Sequence, residues 1–375
     1  MKQIRLAIVR QQYRFDGGAE NFISSILAAS ELQILDLHFI TRQWPKKYLT
    51  NWNFHLCNPI KLGRVSRERD FAKAAYKLWK KEQINLIQSH ERIAGCHIYR
   101  AGDGVHQIWL EQWCRILPKW KQKMLFNSRY HNYIMKTEQK MYQAPELKAV
   151  ICNTKMIKQE IIERFDVNSD KIHVIYNAID TRRFIPANEQ QQASIRRKLH
   201  LPCQAYILIY VGSGYERKGL KTTIHAVAMT NYYLIVVGKD KKEKKYKMIA
   251  NELGCANRIL FAGAQLDTCQ WYQASDGLIL PSLYDPGPNV ILEAMACGLP
   301  IITSTTCGGN EFVESGKTGY ICDALDVPAI RDAIMELSRW RCNSHIRNHT
   351  REKAMSLSSS RLAQQLISLY QIVMN

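Results

Sequence analysis

Residues 284–300 read Tyr284-Asp285-Pro286-Gly287-Pro288-Asn289-Val290-Ile291-Leu292-Glu293-Ala294-Met295-Ala296-Cys297-Gly298-Leu299-Pro300, directly after the apolar run Gly277-Leu278-Ile279-Leu280 and the pair Pro281-Ser282. The apolar run reads as a buried strand. Gly287 and Pro288 then hold a loop, and Val290–Ala296 reads as a helix stopped by Gly298 and Pro300. A strand, a short loop and a helix start make one half of a parallel crossover. The first backbone N–H groups of such a helix are open to ligand oxygens. Asp285 precedes the helix and Glu293 lies about one turn inside it, so the two carboxylates bracket its N-terminus and suit two sets of sugar hydroxyls on one ligand. The plainer alternative makes Asp285 a charge that stabilises the helix start and Glu293 a solvated helix residue.

Working outward, β-branched runs alternate with helix-length amphipathic stretches along the whole chain. Strands are expected near Ile4–Val9, Ile34–Ile40, Leu86–Ser89, Ala149–Asn153 and His173–Tyr176, then near Tyr206–Val211, Tyr233–Val237, Ile259–Phe261, Gly277–Leu280 and Pro300–Thr303. This is an α/β pattern with parallel sheets covered on both faces, and it occurs twice. The expectation is two doubly wound Rossmann-like domains, residues 1–177 and 178–355. Residues 356–375 should form a C-terminal helix packing back on the first domain. Such domains bind ligands beyond the carboxyl ends of their strands, so the site is expected in a crevice between them.

The length of 375 residues fits two domains, and 46% hydrophobic with 23% charged residues fits packed globular cores. The opening MKQIRLAIVRQQYR has four consecutive apolar residues between basic ones, too few for a secretory core and suited to a buried strand. With no stretch of spanning length, the expected location is the cytoplasm. The eleven cysteines are scattered, with no CxxC pair, and read as reduced core thiols. Net charge is +19, and the basic excess is concentrated in the first 176 residues. That implies an anionic partner: nucleic acid, anionic lipid or a phosphorylated glycan.

Three further stretches carry candidate chemistry. Val211-Gly212-Ser213-Gly214-Tyr215-Glu216-Arg217-Lys218-Gly219-Leu220 follows a strand, and its small residues let a ligand approach while Arg217 and Lys218 open the next helix. Two adjacent cations can hold a diphosphate, or can simply be exposed charges. Arg14-Phe15-Asp16-Gly17-Gly18-Ala19-Glu20-Asn21 follows the first strand, and Gly17-Gly18 either open a helix toward a ligand or make an ordinary turn. Ser89-His90-Glu91-Arg92 ends one strand, with Arg100-Ala101-Gly102-Asp103-Gly104-Val105-His106 shortly after. Asp103 between glycines is a carboxylate on a bared loop, and His90 can reach a sugar hydroxyl. Each also has a purely structural reading.

Taken in order, these stretches resemble the retaining GT-B glycosyltransferases of the GT4 group. The second half fits end to end, from Asn177-Ala178-Ile179-Asp180 with Arg183-Phe184, through Gly212–Gly219, Val237-Gly238, Phe261–Gly263 and Tyr272-Gln273-Ala274-Ser275-Asp276, to Glu293-Ala294 and Gly308-Gly309-Asn310-Glu311. The family pattern has two glutamates eight residues apart; here the first position is Asp285. The resemblance implies that Arg217 and Lys218 hold the diphosphate, Glu293 the ribose hydroxyls, and Asp285 with Gly287, Pro288, Asn289 and Val290 the donor sugar. Gly17 and Gly18 would face the diphosphate, Gly212 would lie against it, and Asp103 and His90 would stand near the reaction centre. The N-terminal motifs resemble bacterial lipopolysaccharide core enzymes of the WaaG and WabG types, more closely the latter. This implies a UDP-sugar donor, galacturonate first and glucose second, and an inner-core heptose acceptor. It implies no cofactor and no metal, in keeping with the lack of a DxD triplet. A uronate carboxylate needs a cation, for which Lys239 and Arg92 are candidates.

Residues 106–143 combine Trp109, Trp113, Trp120, Phe126, Tyr130, Tyr133 and Tyr142 with seven Lys and Arg against Glu111 and Glu138. Such a segment suits the anionic surface of the inner membrane, where a lipid-anchored acceptor would lie. Helices with their aromatics packed inward are the alternative. A nucleic-acid partner is not expected, since no recognised nucleic-acid motif is present.

Overall fold

The computed structural model describes residues 4–12, 36–43, 53–341 and 343–374. It divides into two units, Met1–Ala178 with Ser359–Asn375, and Ile179–Ser358. The first unit contains β1 (Arg5–Val9), β2 (Asp36–Thr41), β3 (Asn53–Leu56), β4 (Leu86–Ser89), β5 (Ile98–Arg100), β6 (Ala149–Cys152) and β7 (Ile172–Val174). They form one sheet in the order β3-β2-β1-β4-β5-β6-β7, with parallel pairing. Its centre explains its sequence: Leu6 lies opposite Leu37 on one side and Leu86 on the other, and β4 and β6 are buried throughout. Strands covered on both faces have no polar side to alternate, so they read as continuous apolar runs. The order reverses between β1 and β4, the place in such sheets where the crossovers diverge.

The helix Ser359–Met374 belongs to this unit. Leu362, Leu366, Leu369, Tyr370 and Val373 recur at helical spacing and share a buried cluster with Leu6, Ile8, Leu86, Ile98 and Ile151. The Tyr370 hydroxyl donates to Gln88 Oε1 at 2.7 Å, and Lys148 Nζ donates to the Val373 carbonyl at 2.7 Å.

The second unit repeats the plan with β8 (Ile207–Val211), β9 (Tyr233–Val237), β10 (Ile259–Gly263), β11 (Gly277–Leu280), β12 (Ile301–Ser304) and β13 (Gly319–Cys322), in the order β10-β9-β8-β11-β12-β13. A buried cation ties its helices to the sheet. Arg196 donates to the Ala274, Cys203 and Ala205 carbonyls and pairs with Asp276 at 2.8 Å, while Asp276 also accepts the Ile207 N–H. With its donors satisfied, this charge is held in the interior at little penalty.

Three strands were not anticipated from sequence. β3 and β13 are sheet edges with partly exposed residues, so their apolar signal is diluted. β5 is three residues long, too short for a periodicity to show, and it lies inside the sheet. Of the expected strand Ile34–Ile40, Ile34 and Leu35 lie outside the described residues.

Candidate active site

In the second unit the reversal of strand order brings together the ends of β8 and β11. Beyond β8 the chain turns through Gly212–Gly219 and begins the helix Leu220–Ala228. Arg217 and Lys218 therefore lie in the turn before that helix rather than in its first turn, and Gly219 is its cap. Gly219 has φ +76°, and a Cβ there would fall 2.0 Å from the Pro281 carbonyl oxygen. Only glycine allows the turn to press against the end of β11. Gly212 plays the matching part, since a Cβ on it would meet Lys218 Cδ at 2.5 Å. The lysine stem is thus laid over bare backbone. The turn is fastened further by the Leu283 N–H donating to the Arg217 carbonyl at 2.8 Å and by Arg217 Nη1 donating to the Tyr284 carbonyl at 2.8 Å.

Both cations converge on one carboxylate oxygen. Asp285 Oδ2 lies 3.2 Å from Arg217 Nη1 and 3.3 Å from Lys218 Nζ, and the residue is 7% exposed. Burial alone would raise the Asp285 carboxyl, but Lys218 and Arg217 outweigh it and hold the group below the usual carboxylate range. The sequence placed these three residues in separate roles; the fold makes them one ionic cluster.

The helix that follows runs Asn289–Ala296, with Pro288 at its cap, a residue that makes no side-chain capping bond. Gly287, Asn289 and Val290 are half-buried, whereas Pro288 is buried. Glu293, one turn in, is half-buried and not a solvated helix residue. Its Oε2 accepts the Tyr272 hydroxyl at 2.8 Å. Burial raises the Glu293 carboxyl, countered by Tyr272, Arg183 and Lys218.

The first unit gathers a second cluster beyond β1, β4 and β5. Arg10, next after β1, has Nη1 3.8 Å from Glu91 Oε1 and 3.9 Å from Asp103 Oδ2. The Gln11 N–H donates to Glu91 Oε1 at 2.9 Å, fixing that carboxylate from the backbone. The Asp103 side chain is 60% exposed on the turn after β5. A buried pair supports this turn: Arg92 Nε lies 2.8 Å from Glu138 Oε1, Arg92 Nη2 donates to the Gly104 carbonyl at 3.0 Å, and the His106 N–H donates to Glu138 Oε2 at 3.1 Å. Glu138 thereby caps the helix His106–Cys114 from the neighbouring helix Arg129–Tyr142. Of the two candidate cations for a uronate, Arg92 is engaged in this support, while Lys239 stands exposed after β9.

His90 follows β4 inside the first unit. It is 4% exposed, its Nε2 lies 3.0 Å from Gln88 Nε2, and Gln88 in turn accepts from Tyr370. Burial pushes it well below the ordinary histidine range. It belongs to a polar chain inside the first unit. Gly17 and Gly18 lie outside the described residues.

The basic aromatic segment divides into three helices. In His106–Cys114 and Arg129–Tyr142 the aromatics are used internally: Trp109 stacks on Trp113 and on His106, His106 Nε2 lies 3.0 Å from His131 Nδ1, and Tyr142 is buried. The helix Lys119–Phe126 has no buried residue, with Trp120 61% and Met124 64% exposed beside Lys119, Lys121 and Lys123.

Sequence reasoning missed Tyr272 as the partner of Glu293, Arg10 as the cation between two carboxylates, and Glu138 as a cap. Their partners lie 21, 81 or more, and 32 residues away, so no local spacing pointed to them.

Two parallel α/β units, each with a charged cluster beyond its strand ends, define the class of fold. The family models described as Glycosyltransferase Family 4 and Glycosyl transferases group 1 match residues 16–183 and 191–355. The chain belongs to the GT-B glycosyltransferases of the GT4 group. A relative, the lipopolysaccharide core biosynthesis glycosyltransferase LpsE of Rhizobium meliloti, is 31% identical over 190 residues, 50% of this chain and 53% of LpsE. The match thus spans about half the length of that relative. The crystal structure of WaaG, a glycosyltransferase involved in lipopolysaccharide biosynthesis, has the same fold, with a TM-score of 0.83 at 18% identity over 97% of this chain and 99% of WaaG. HepE of Anabaena, solved in complex with UDP and glucose, has a TM-score of 0.72 at 17% identity over 98% of this chain and 99% of HepE.

Proposed function

We propose that the chain is a retaining, metal-independent glycosyltransferase that moves a sugar from a UDP-sugar to a heptose of the lipopolysaccharide inner core, with galacturonate as the first candidate sugar and glucose the second. The observation that carries this reading is the convergence of Arg217 and Lys218 on one oxygen, Asp285 Oδ2, just before the helix Asn289–Ala296, with Glu293 a turn inside that helix. The names of the relatives LpsE and WaaG favour a core saccharide acceptor, and the UDP held by HepE favours a uridine donor.

On this reading Arg217 and Lys218 hold the diphosphate, and Glu293 accepts from the ribose hydroxyls. Asp285 and the Gly287–Val290 backbone face the donor sugar. The bond from the anomeric carbon to the β-phosphate oxygen breaks, and the acceptor oxygen bonds to that carbon on the same face. The acceptor proton passes to the departing phosphate. The two cations and the helix N–H groups stabilise the charge that grows there. Asp103, held by the Arg92–Glu138 support, orients the acceptor hydroxyl. No helix among the described residues is long and apolar enough to cross a membrane. The helix Lys119–Phe126 is the segment proposed to rest on the anionic cytoplasmic surface of the inner membrane, beside a lipid-anchored acceptor.

The test is a donor panel of UDP-galacturonate, UDP-glucose, UDP-N-acetylglucosamine and a GDP-sugar, read by thermal shift and hydrolysis with a chelator present. Selective stabilisation by one UDP-sugar is expected. Indifference to all four would remove the assignment of Arg217, Lys218 and Glu293.

A further inference from the structure

Glu293 does not stand alone on its helix. Tyr272, on the short helix Cys269–Gln273, is fully buried and spends its hydroxyl on Glu293 Oε2 at 2.8 Å. Its ring packs edge-on against Phe184, with centroids 6.0 Å apart, so the phenol has no freedom to aim elsewhere. We propose that Tyr272 is a positioning residue of the donor site, fixing the Glu293 carboxylate in the orientation in which it accepts from ribose hydroxyls. This rests on the donor reading of Glu293 given above.

A carboxylate must stay ionised to accept two hydroxyl donors, and the surroundings of Glu293 oppose that. Burial raises it; Tyr272 is the first group to counter the rise, ahead of Arg183 from the turn before Phe184 and Lys218 from the turn after β8. The buried thiols Cys269 and Cys297 complete the titratable groups around the pair. Among the described residues neither cation lies within ion-pair distance of Glu293, so the phenol supplies the direct contact. Removing its hydroxyl lets the carboxyl rise further. Protonated Glu293 offers one lone pair fewer and a competing donor, so ribose binding weakens as pH falls and returns as pH rises.

The experiment measures UDP affinity calorimetrically from about pH 6 to about pH 8.5 for the full-length protein and for Tyr272→Phe, Glu293→Gln and the double variant, since loss of a hydrogen bond to a charged group amounts to about tenfold. Tyr272→Phe keeps the ring and its packing, and thermal melting checks that it folds. We expect UDP binding about tenfold weaker at the acid end and close to the parent at the alkaline end, with no further loss when the substitution is added to Glu293→Gln. A Tyr272→Phe profile parallel to the parent's, or a full additional loss in the Glu293→Gln background, overturns the role of Tyr272 while leaving the donor site intact. UDP affinity unchanged by Glu293→Gln itself instead removes the donor reading on which the inference rests. Should Tyr272→Phe fail to fold, the parent and Glu293→Gln decide: a parent affinity that stays level to about pH 6 and above that of Glu293→Gln supports a carboxylate kept ionised by the phenol, and a parent affinity that falls with acid to that of Glu293→Gln overturns it.

Discussion

At the scale of single residues, the ionic cluster of Arg217, Lys218 and Asp285 sets the expectations. Two cations 3.2 and 3.3 Å from one buried carboxylate oxygen are restrained before any ligand arrives, so less side-chain entropy is lost on binding. Lys218→Ala should weaken UDP binding about tenfold or more, as measured by calorimetry. Gly212→Ala should reproduce part of that loss without touching a charge, because its Cβ would meet Lys218 Cδ at 2.5 Å and push the lysine aside. Equal affinities for parent and Gly212→Ala would show that Lys218 does not need its present path. Asp103 is proposed to orient the acceptor, so Asp103→Ala should lower turnover while leaving the UDP affinity unchanged; an unaltered rate removes it from the reaction.

At the scale of elements, the helix His106–Cys114 carries an acid-sensitive start. Burial, with Arg92, His131 and Arg64 nearby, lowers the His106 imidazole to about 3. Its folded value lies below its unfolded one, so its contribution to stability is present above about pH 6.5 and is lost as pH falls toward the folded value. His90 and His131 are shifted the same way. The melting temperature should therefore drop on acidification, and His106→Asn should flatten that drop. A slope identical to the parent's would mean that His106 is not held neutral. The neighbouring helix Lys119–Phe126 has no fully buried residue and pairs exposed Trp120 and Met124 with three lysines. Each cation near an anionic surface contributes about 1 kcal/mol, so reversing Lys119, Lys121 and Lys123 to Glu should abolish flotation with anionic vesicles. Unchanged flotation would place the contact elsewhere.

At the scale of the molecule, the chain closes its first unit with its last helix. Leu362, Leu366, Leu369, Tyr370 and Val373 sit in the same apolar cluster as the central strands β1, β4 and β6. The first unit is therefore assembled from both ends of the chain, whereas Ile179–Ser358 is one continuous segment with its own sheet. Leu366→Ala, at a fully buried position, should cost about 2–5 kcal/mol of unfolding free energy in urea titration. Residues 179–358 expressed alone should fold and keep UDP binding, because the donor cluster lies within them. Loss of fold in that segment would show that the second unit depends on the first.

The sequence by itself determined the parallel α/β class, because strands buried on both faces must be apolar throughout and the helices between them must fill crossover length. It also marked one turn that carries chemistry, since Gly212 and Gly219 are required where Lys218 overlies the backbone and where the turn presses on Pro281. What it left undecided was pairing at a distance. Nothing local tells that Lys218 and Arg217 meet Asp285, that Tyr272 reaches Glu293, or that Glu138 caps the helix at His106. His90 shows the same limit, for nothing local tells that its neighbour Gln88 meets the Tyr370 hydroxyl. Edge strands β3 and β13 and the three-residue β5 were likewise settled only by their neighbours, because a short strand owes its hydrogen bonds to the strand beside it rather than to its own residues. Periodicity and turn chemistry are local and survive in one dimension; ion pairing, burial and the state of a buried proton depend on which elements come together, and that only the tertiary structure decided.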